Sequence, residues 1–351
     1  MDVTVRGAGI FGLSIAYLCV RRGARVAVID PAGPGAGASG GLVGALAPHV
    51  PENWNAKKAF QLDSLLAAES FWRDVAGTGG GDPGYVRSGR LQPLADDGSV
   101  ALARERSASA AALWRGRAVW SVEGAPRGWA PATPIGLVVR DTLSAQLHPR
   151  RAIDALVRAL AASGVRTEPE GPDRGAVVWA TGAQGLADLS AVLGQEVGRA
   201  VKGQAALLRH DARGMPHIFA DGLHVIAHDD GTVAVGSTTE RDFADPAGTD
   251  ARLDDIVARA RLAVPGLAGA GIVARWAGLR PRARSRAPML GPWPGRPGHY
   301  IANGGFKIGF GMAPRVAEAM ADLMLDGRDA IPAGFRVTDN LKACEGGHPS
   351  A

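Results

Sequence analysis

Two different hydrophobic periods follow one another at the start of this 351-residue chain. Residues 2–6 and 25–29 are short runs rich in valine and isoleucine, which favour β-strands, whereas residues 10–22 carry apolar side chains on one broad helical face. The second strand pattern ends on Asp30. The order strand, helix, strand predicts a βαβ unit at the beginning of an α/β domain.

Helical and strand patterns alternate through the rest of the chain. Helices are predicted over 59–72, 102–114, 149–162, 254–262 and before 325, and apolar strands over 135–139 and 176–179. Gly77 is expected to stop the first of these helices, and residues 85–94 have the pattern of a hairpin. Between 195 and 271, short strand patterns separated by turn residues predict an antiparallel sheet. We therefore expect an α/β fold with an α+β second lobe.

Composition narrows the class of protein only a little. Hydrophobic residues make up 46% of the chain and charged residues 21%, as in ordinary soluble enzymes. The net charge of +5 and the pI near 9.6 suit an anionic cofactor, an acidic substrate or nucleic acid equally well. Only two cysteines, Cys19 and Cys344, are present, which argues against a disulfide framework. Without a signal-peptide pattern or a membrane-spanning apolar run, a cytoplasmic protein is expected.

The first candidate chemistry is a glycine motif between the first strand and helix. Gly7 permits a tight turn, Gly9 lets the backbone approach a pyrophosphate, and Gly12 lets helix and strand pack closely. The helix N-terminus adds free N–H groups and a partial positive charge. Asp30 lies 18 residues after Gly12, where its carboxylate can accept hydrogen bonds from a ribose. This context predicts dinucleotide binding; the alternative is a merely tight βα turn.

Four later segments carry a family resemblance together with this motif. They are Ala38-Ser39-Gly40, Ala180-Thr181-Gly182, Gly278-Leu279-Arg280-Pro281 and Gly304-Gly305-Phe306-Lys307. In this order the motifs resemble those of the FAD-dependent amino-acid oxidases, which include D-amino-acid oxidase, glycine oxidase and sarcosine oxidase. The resemblance spans nearly the whole chain and is weak across its middle.

The resemblance implies a doubly wound Rossmann-type FAD-binding domain built from discontinuous segments, with an antiparallel-sheet substrate domain. The FAD-binding segments are expected near 1–75, 141–195 and 272–330, and the substrate segments near 76–140 and 196–271. Residues 339–351 are polar and small, and we expect a disordered tail there. The stretch 165–175 is shorter than the crossover usual in the family, so a more open adenine end is expected.

The resemblance also implies which residues bind FAD. The candidates are Gly7, Gly9, Ile10, Phe11, Gly12, Asp30, Pro31, Ala38, Ser39, Gly40, Leu46, Ala180, Thr181, Gly182, Gly278, Gly304, Gly305, Phe306, Lys307 and Ile308. Sarcosine oxidases attach their flavin through a cysteine late in the chain. The corresponding segment here has none and Cys344 falls in the tail, so non-covalent FAD is expected.

Lys307 and Arg280 are the candidate catalytic residues. In the sarcosine oxidase branch, the lysine of the matching Gly-Phe-Lys motif holds the substrate carboxylate, and apolar flanking residues suggest that Lys307 is buried. In an extended chain Arg280 would share one face with Arg282, Arg284 and Arg286. That row predicts either an anion site or a solvated basic edge.

The histidines are assigned structural roles. His148 precedes a proline at a predicted helix start, which favours a local structural role. The histidines at 210, 217, 224 and 228 lack the spacing of a compact ligand pair, so no metal site is expected.

The expected reaction is oxidation of the C–N bond of an amino acid or N-substituted glycine. Hydride would pass to flavin N5, and the resulting imine would hydrolyse, with oxygen or an electron-transfer partner as acceptor. Two alternatives stay open. One is an FAD-dependent tRNA wobble-uridine carboxymethylaminomethyl-modifying oxidoreductase, and the other a flavin-binding subunit of a larger redox complex. The sequence leaves the substrate and its chirality, oxidase versus dehydrogenase, and the oligomeric state undecided.

Overall fold

The computed structural model describes residues 1–341 as two sheets with helices packed around them. The strands are β1 (Asp2–Arg6), β2 (Arg25–Ile29), β3 (Ala45–Leu46), β4 (Arg90–Pro93), β5 (Trp120–Gly124), β6 (Leu137–Asp141), β7 (Ala145–Gln146), β8 (Thr167–Glu168), β9 (Ala176–Trp179), β10 (Gly198–Arg209), β11 (His217–Ala220), β12 (Leu223–Ala227), β13 (Thr232–Gly236), β14 (Ile272–Ala283), β15 (Met289–Pro292) and β16 (His299–Asn303). The helices are α1 (Ile10–Arg21), α2 (Ala56–Gly79), α3 (Asp97–Leu113), α4 (Pro149–Ala162), α5 (Gly182–Val192), α6 (Ala251–Ala263) and α7 (Gly309–Asp326). Short 3₁₀ turns cover Ala38–Gly40, Pro265–Leu267 and Val337–Asn340.

The first sheet has six strands in the order β15-β16-β9-β1-β2-β8. Its central strand β1 is parallel to both neighbours, β2 and β9, and β16 is parallel to β9. Val3 and Val5 of β1 are fully buried because helices cover the sheet, as expected for a parallel sheet. The predicted doubly wound domain is confirmed.

The second sheet has eight strands in the order β14-β10-β13-β12-β11-β4-β6-β5. Its pairs are antiparallel except for β11 with β4. One face packs on α6, whose Leu253, Ile256 and Val257 are buried against β-strand valines. The predicted antiparallel sheet is thus confirmed, and it has more strands than the stretch 195–271 alone supplies.

Two predicted boundaries are wrong. β14 pairs along its length with β10, so residues 272–283 belong to the eight-stranded sheet and not to the parallel sheet of the predicted segment 272–330. Helix α2 runs through Gly77 and ends at Gly80, whose φ of +66° is the left-handed conformation typical of a helix end. A glycine inside a helix costs only about 1 kcal/mol, which the packing of α2 on α4 and α7 offsets.

The predicted hairpin over 85–94 is also wrong. Only Arg90–Pro93 forms a strand, and its neighbours are β6 and β11 rather than a partner across a local turn. Val86 instead makes an isolated bridge to Gln146. Pairing with distant strands has overridden the local turn signal.

The predicted disordered tail is wrong at its beginning. Residues 339 and 340 belong to the last 3₁₀ turn, and Asn340 is fully buried. Its Oδ1 atom accepts a hydrogen bond from Ser285 N at 2.9 Å. The rest of the predicted tail, residues 342–351, lies outside the described residues.

Within residues 1–341, none of the helices combines the length and apolar character needed to cross a membrane.

A buried ion pair joins β4 to β6 in the eight-stranded sheet. Arg90 Nε donates to Asp141 Oδ2 at 2.8 Å, with side-chain exposures of 6% and 0%. Asp141 Oδ1 also accepts a hydrogen bond from Ser144 N at 2.7 Å. Removing one member of such a pair leaves an uncompensated buried charge.

We expect Asp141→Ala to lower the free energy of unfolding by about 3–5 kcal/mol, because Arg90 would lose its only ion-pair partner among the described residues. Arg140→Ala is the matched control, since Arg140 belongs to an exposed pair with Glu123 and its loss should cost under about 1 kcal/mol. Urea denaturation of both variants measures the difference. Equal effects of the two substitutions would contradict the prediction.

Candidate functional site

Several loops meet at the carboxyl edge of the parallel sheet. Gly7 follows β1 with a φ of +106°, a conformation that favours glycine. A Cβ atom on Gly7 would overlap the carbonyl group of Ala180, and one on Gly12 would overlap the carbonyl oxygen of Gly7. The first and third glycines of the motif are therefore required by backbone packing, as predicted.

The N-terminus of α1 faces this edge without a side-chain cap of its own. Ile10 N donates to Ser39 Oγ at 3.0 Å, which brings the predicted loop residues Ala38, Ser39 and Gly40 beside the glycine motif. Gly9 is extended, with a φ of −82°, and a Cβ there would meet only Ser39 Oγ at 3.2 Å. The first turn of α1 is thus a positively polarised donor surface suited to a phosphate.

Asp30 stands at the end of β2, as the sequence predicts. Its Oδ2 accepts from Ala8 N at 2.7 Å, and its Oδ1 accepts from Ala32 N at 3.0 Å. Each carboxylate oxygen can accept a second hydrogen bond, so Asp30 is held in place and keeps acceptor capacity for ribose hydroxyls. Pro31 is exposed in the turn that follows.

The loop between β16 and α7 forms the other side of the site. Gly304 has a φ of +76°, and a Cβ on Gly305 would lie 2.9 Å from Cζ of Phe11. Helix α7 begins at Gly309, directly after Ile308, and its N-terminus also lacks a side-chain cap. The N-termini of α1 and α7 therefore lie close together, and a Cβ on Gly309 would come 3.5 Å from Cγ2 of Ile10.

The remaining predicted cofactor residues lie at the borders of this edge. Thr181 is the N-cap residue of α5, and Gly182 has a φ of +63°. Leu46 is fully buried beside α7. Gly278 lies within β14, where a Cβ would come 2.5 Å from the ring of Trp276.

Arg280 is buried, with 8% of its surface exposed, and is held by backbone and hydroxyl groups of the second sheet. Its Nη1 donates to Ser237 Oγ at 2.9 Å, and its Nη2 donates to the carbonyl oxygens of Thr238 at 2.6 Å and Lys202 at 3.4 Å. The side chain lies across Gly203, where any Cβ would overlap the guanidinium. Burial lowers the pKa of Arg280 to about 10, so it stays charged at neutral pH.

Sequence reasoning missed Ser237, Thr238 and Lys202, which accept the hydrogen bonds of Arg280, and Gly203, which leaves room for its guanidinium. In the sequence, the only sign of this arrangement is a glycine in each of two separate strands, Gly203 and Gly278. The two glycines face each other across β10 and β14, which is visible only when the strand register is known.

Three cationic side chains surround the ring of Phe306. The guanidinium carbons of Arg280 and Arg282 lie 5.8 and 5.9 Å from the ring centroid, and Lys307 Nζ lies at 5.9 Å. We call these four residues the cation group. Phe306 N donates to Pro281 O at 3.0 Å, and Gly305 forms a bridge with Arg282, so the loop is hydrogen-bonded to β14.

Lys307 is exposed to solvent, so the predicted burial of its side chain is wrong. It borders a cavity of about 600 Å³ whose wall includes Ser237, Thr238 and Asp242. The inner part of the side chain is shielded from water, and this partial burial, followed by the charge of Arg280, lowers the pKa of Lys307 to about 8. An ammonium held among like charges beside a cavity favours an anionic ligand.

The four arginines do not form one continuous row. β14 ends at Ala283, and Arg286 has a φ of +61° in the turn that follows. Arg284 Nη1 donates to Asn340 O at 3.3 Å. The extended-chain expectation is therefore wrong beyond Arg282, because the strand ends there.

Histidines 217 and 224 form a pair that sequence reasoning did not find. His217 Nε2 and His224 Nδ1 are 2.8 Å apart across the β11–β12 turn. Burial, then the charges of Arg90 and Lys307, lowers the pKa of His224 to about 3, so the imidazole is neutral. His148, by contrast, is the N-cap residue of α4 and its imidazole accepts from Arg151 N, which confirms its predicted local role.

Comparison with known proteins gives a consistent result. A sequence model of the DAO family, described as FAD dependent oxidoreductase, matches residues 2–323. The glycine oxidase of Pseudomonas aeruginosa is 37% identical over 132 residues, which are 37% of this chain and only 36% of that protein. The tRNA 5-methylaminomethyl-2-thiouridine biosynthesis bifunctional protein MnmC of Polaromonas sp. is 29% identical over 380 residues, covering 90% of this chain and 55% of that protein.

A solved structure shows the same fold. The crystal structure of glycine oxidase from Geobacillus kaustophilus matches with a TM-score of 0.82 and 23% identity, covering 97% of this chain and 99% of that one. The dinucleotide cofactor is FAD. Gly7, Gly9 and Gly12, which we call the glycine cradle, and the uncapped N-terminus of α1 fit its pyrophosphate. Asp30 fits its ribose.

We expect Gly12→Ala to be purified with at most about a tenth of the wild-type flavin, because the new methyl group would displace the Gly7 carbonyl and open the cradle. Gly37→Ala is the matched control, since a Cβ at that loop position meets nothing within 4 Å. The ratio of flavin to protein absorbance measures occupancy. Full occupancy in Gly12→Ala would contradict the cradle, and release of wild-type flavin on acid precipitation would confirm non-covalent binding.

Proposed function

The chain belongs to the DAO family of FAD dependent oxidoreductases, and on that premise we propose that it oxidises the C–N bond of an amino acid or N-substituted glycine. The observation that carries the proposal is the cation group beside the 600 Å³ cavity. A carboxylate is the anion that all such substrates share. Bound FAD would supply the two-electron acceptor.

Lys307 is the proposed direct contact of the substrate carboxylate. It is the member of the cation group that is exposed and lines the cavity. Its lowered pKa means that its charged form is disfavoured, and a bound anion would stabilise that charged form. A guanidinium has five N–H donors, and Arg280 uses three of them on Ser237, Thr238 and Lys202. Arg280 therefore adds positive charge and has donors left for the same carboxylate.

The rest of the proposed mechanism is positioning. A carboxylate bound at Lys307 would hold the α-carbon and the amine of the substrate in one position relative to the carboxyl edge of the parallel sheet. The free energy of carboxylate binding would thus be used to orient the reacting atoms. The amine must be neutral to lose a hydride, and the positive charges of the cation group disfavour its protonated form. Water from the open cavity would hydrolyse the imine product.

A reduction assay tests the proposed reaction. We expect glycine, sarcosine or one class of D- or L-amino acids to bleach the flavin absorbance of the purified protein under anaerobic conditions. Air is then readmitted to identify the acceptor. Rapid return of the flavin absorbance would indicate an oxidase that uses oxygen, and slow return would indicate a separate electron-transfer partner. A flavin that none of these compounds reduces would contradict the proposal.

The pH dependence of carboxylate binding tests Lys307. Because its pKa is lowered to about 8, the ammonium is fully charged below that pH and is lost as the pH rises through it. The affinity for acetate, followed by flavin absorbance, should fall by up to about tenfold per pH unit above pH 8. Lys307→Arg should keep its affinity over that range, and Lys307→Met should bind about tenfold or more weakly at neutral pH. An acetate affinity of the wild type that does not change with pH would refute the assignment.

A tRNA-borne substrate is the second candidate. Its support is the match of the Polaromonas protein over 90% of this chain. The arginine row is broken beyond Arg282, so these arginines do not form a continuous basic strand face for RNA phosphates. Salt-dependent tRNA binding, together with flavin reduction by modified tRNA and by no free amino acid, would favour this candidate.

A further inference from the structure

Three potential metal ligands meet between the two sheets, and none of them lines the cavity of the cation group. His148 precedes α4, whereas His228 and Asp230 lie in the turn between β12 and β13. The centroids of the two imidazole rings are 4.5 Å apart. One ligand atom from each of the three residues lies within 4.8 Å of the other two.

His228 brings a buried ring nitrogen without a hydrogen-bond partner to this group. The residue is 3% exposed, and its Nδ1 lies 3.3 Å from Thr232 Oγ1. Its Nε2 is buried and has no hydrogen-bond partner among residues 1–341. With the proton on Nδ1, shared with Thr232, Nε2 presents a bare lone pair, which is the arrangement that orients metal-binding imidazoles.

Asp230 and His148 are also in forms that can bind a cation. Thr232 donates from N at 3.0 Å and from Oγ1 at 2.6 Å to Asp230 Oδ1, and Oδ2 takes no part in these bonds. His148 Nδ1 accepts a long 3.5 Å hydrogen bond from Arg151 N, and coordination of a metal by His148 would replace this cap of α4.

Two arginines lie near the group, and two carboxylates accompany them. Arg151 is paired with both Asp82 and Asp229, so two carboxylates offset its charge. Arg150 Nε donates to Gly40 O at 3.0 Å. Asp230 brings a further negative charge into the group itself.

We propose that His148, His228 and Asp230 form a binding site for a first-row divalent transition metal such as Zn²⁺. Two imidazoles and one carboxylate match the ligand types of zinc sites that keep an open position. Ligand atoms in a tetrahedral zinc site are about 3.4 Å apart, so atoms within 4.8 Å of one another must approach by at most about 1.4 Å. Asp230 is the exposed member of the group, and its Oδ2 atom takes no part in the Thr232 hydrogen bonds, so this carboxylate oxygen is the ligand that moves. Spacing in the sequence could not reveal this site, because His148 is 80 residues from His228.

The site would be a cross-link between the lobes. His148 is fixed to the helical layer of the parallel sheet, and the other two ligands are fixed to the eight-stranded sheet. Metal bound only in the folded protein raises its thermal stability by mass action. This inference is independent of the proposed amine oxidation.

Equilibrium dialysis of the flavin-loaded protein against Zn²⁺, after treatment with EDTA, tests the site. We expect about one bound zinc per chain to be lost or weakened at least about tenfold in His228→Gln and in Asp230→Asn. Asp230 is exposed, so its substitution leaves the fold intact even if His228→Gln proves unstable. His210→Gln is the matched control, because His210 stacks on Trp129 outside the group and should keep wild-type binding.

A second readout is independent of the stoichiometry. Zn²⁺ should raise the thermal midpoint of the wild type and of His210→Gln, and should leave that of His228→Gln unchanged. Co²⁺ should give the visible absorption of a low-symmetry site in the wild type and in His210→Gln, and not in His228→Gln. Equal zinc affinity in the wild type, His228→Gln and Asp230→Asn, or no binding below about millimolar Zn²⁺, would overturn the proposal.

Discussion

The close approach of backbone to backbone at Gly7 and Gly12 is the constraint on which the site depends. No side chain fits between the start of α1, the end of β1 and the carbonyl of Ala180. This packing brings the N-terminus of α1 to the sheet edge, where the ring of Phe11 then limits how closely the Gly305 loop can approach. The position of the α1 N-terminus therefore depends on two residues that lack a β-carbon.

The second sheet contributes rigidity of a different kind. Arg280 lies on a strand of twelve residues that is paired along its length with another of twelve, and its guanidinium is bonded to main-chain carbonyls. Groups held by a sheet in this way lose little additional freedom when a ligand arrives. Lys307 lies on a loop, and its side chain can change position more easily than that of Arg280. Arg280 therefore provides a charge in a fixed position, whereas Lys307 can adjust to a ligand.

The sequence predicted well the features that short segments determine. The glycine motif, Asp30 and the capping role of His148 each depend on neighbours within about thirty residues, and all three have the expected geometry. It failed where distant strands compete. β14 joined the other sheet because β10 offers a partner of equal length, and the arginine pattern ended with the strand. The support of Arg280 by Gly203 depends on a register that no local pattern encodes.

The hydrogen bonds between the Phe306 loop and β14 connect the cofactor side of the molecule to the cation group. Two ligands that bias the same loop are thermodynamically linked, and such linkage is reciprocal. If bound flavin orders Gly305 and Phe306, a carboxylate that binds at Lys307, as proposed, no longer has to order this loop. The affinity for the carboxylate would then be higher when flavin is bound. By the same equality, a carboxylate bound at Lys307, as proposed, would strengthen the binding of the flavin by the same factor.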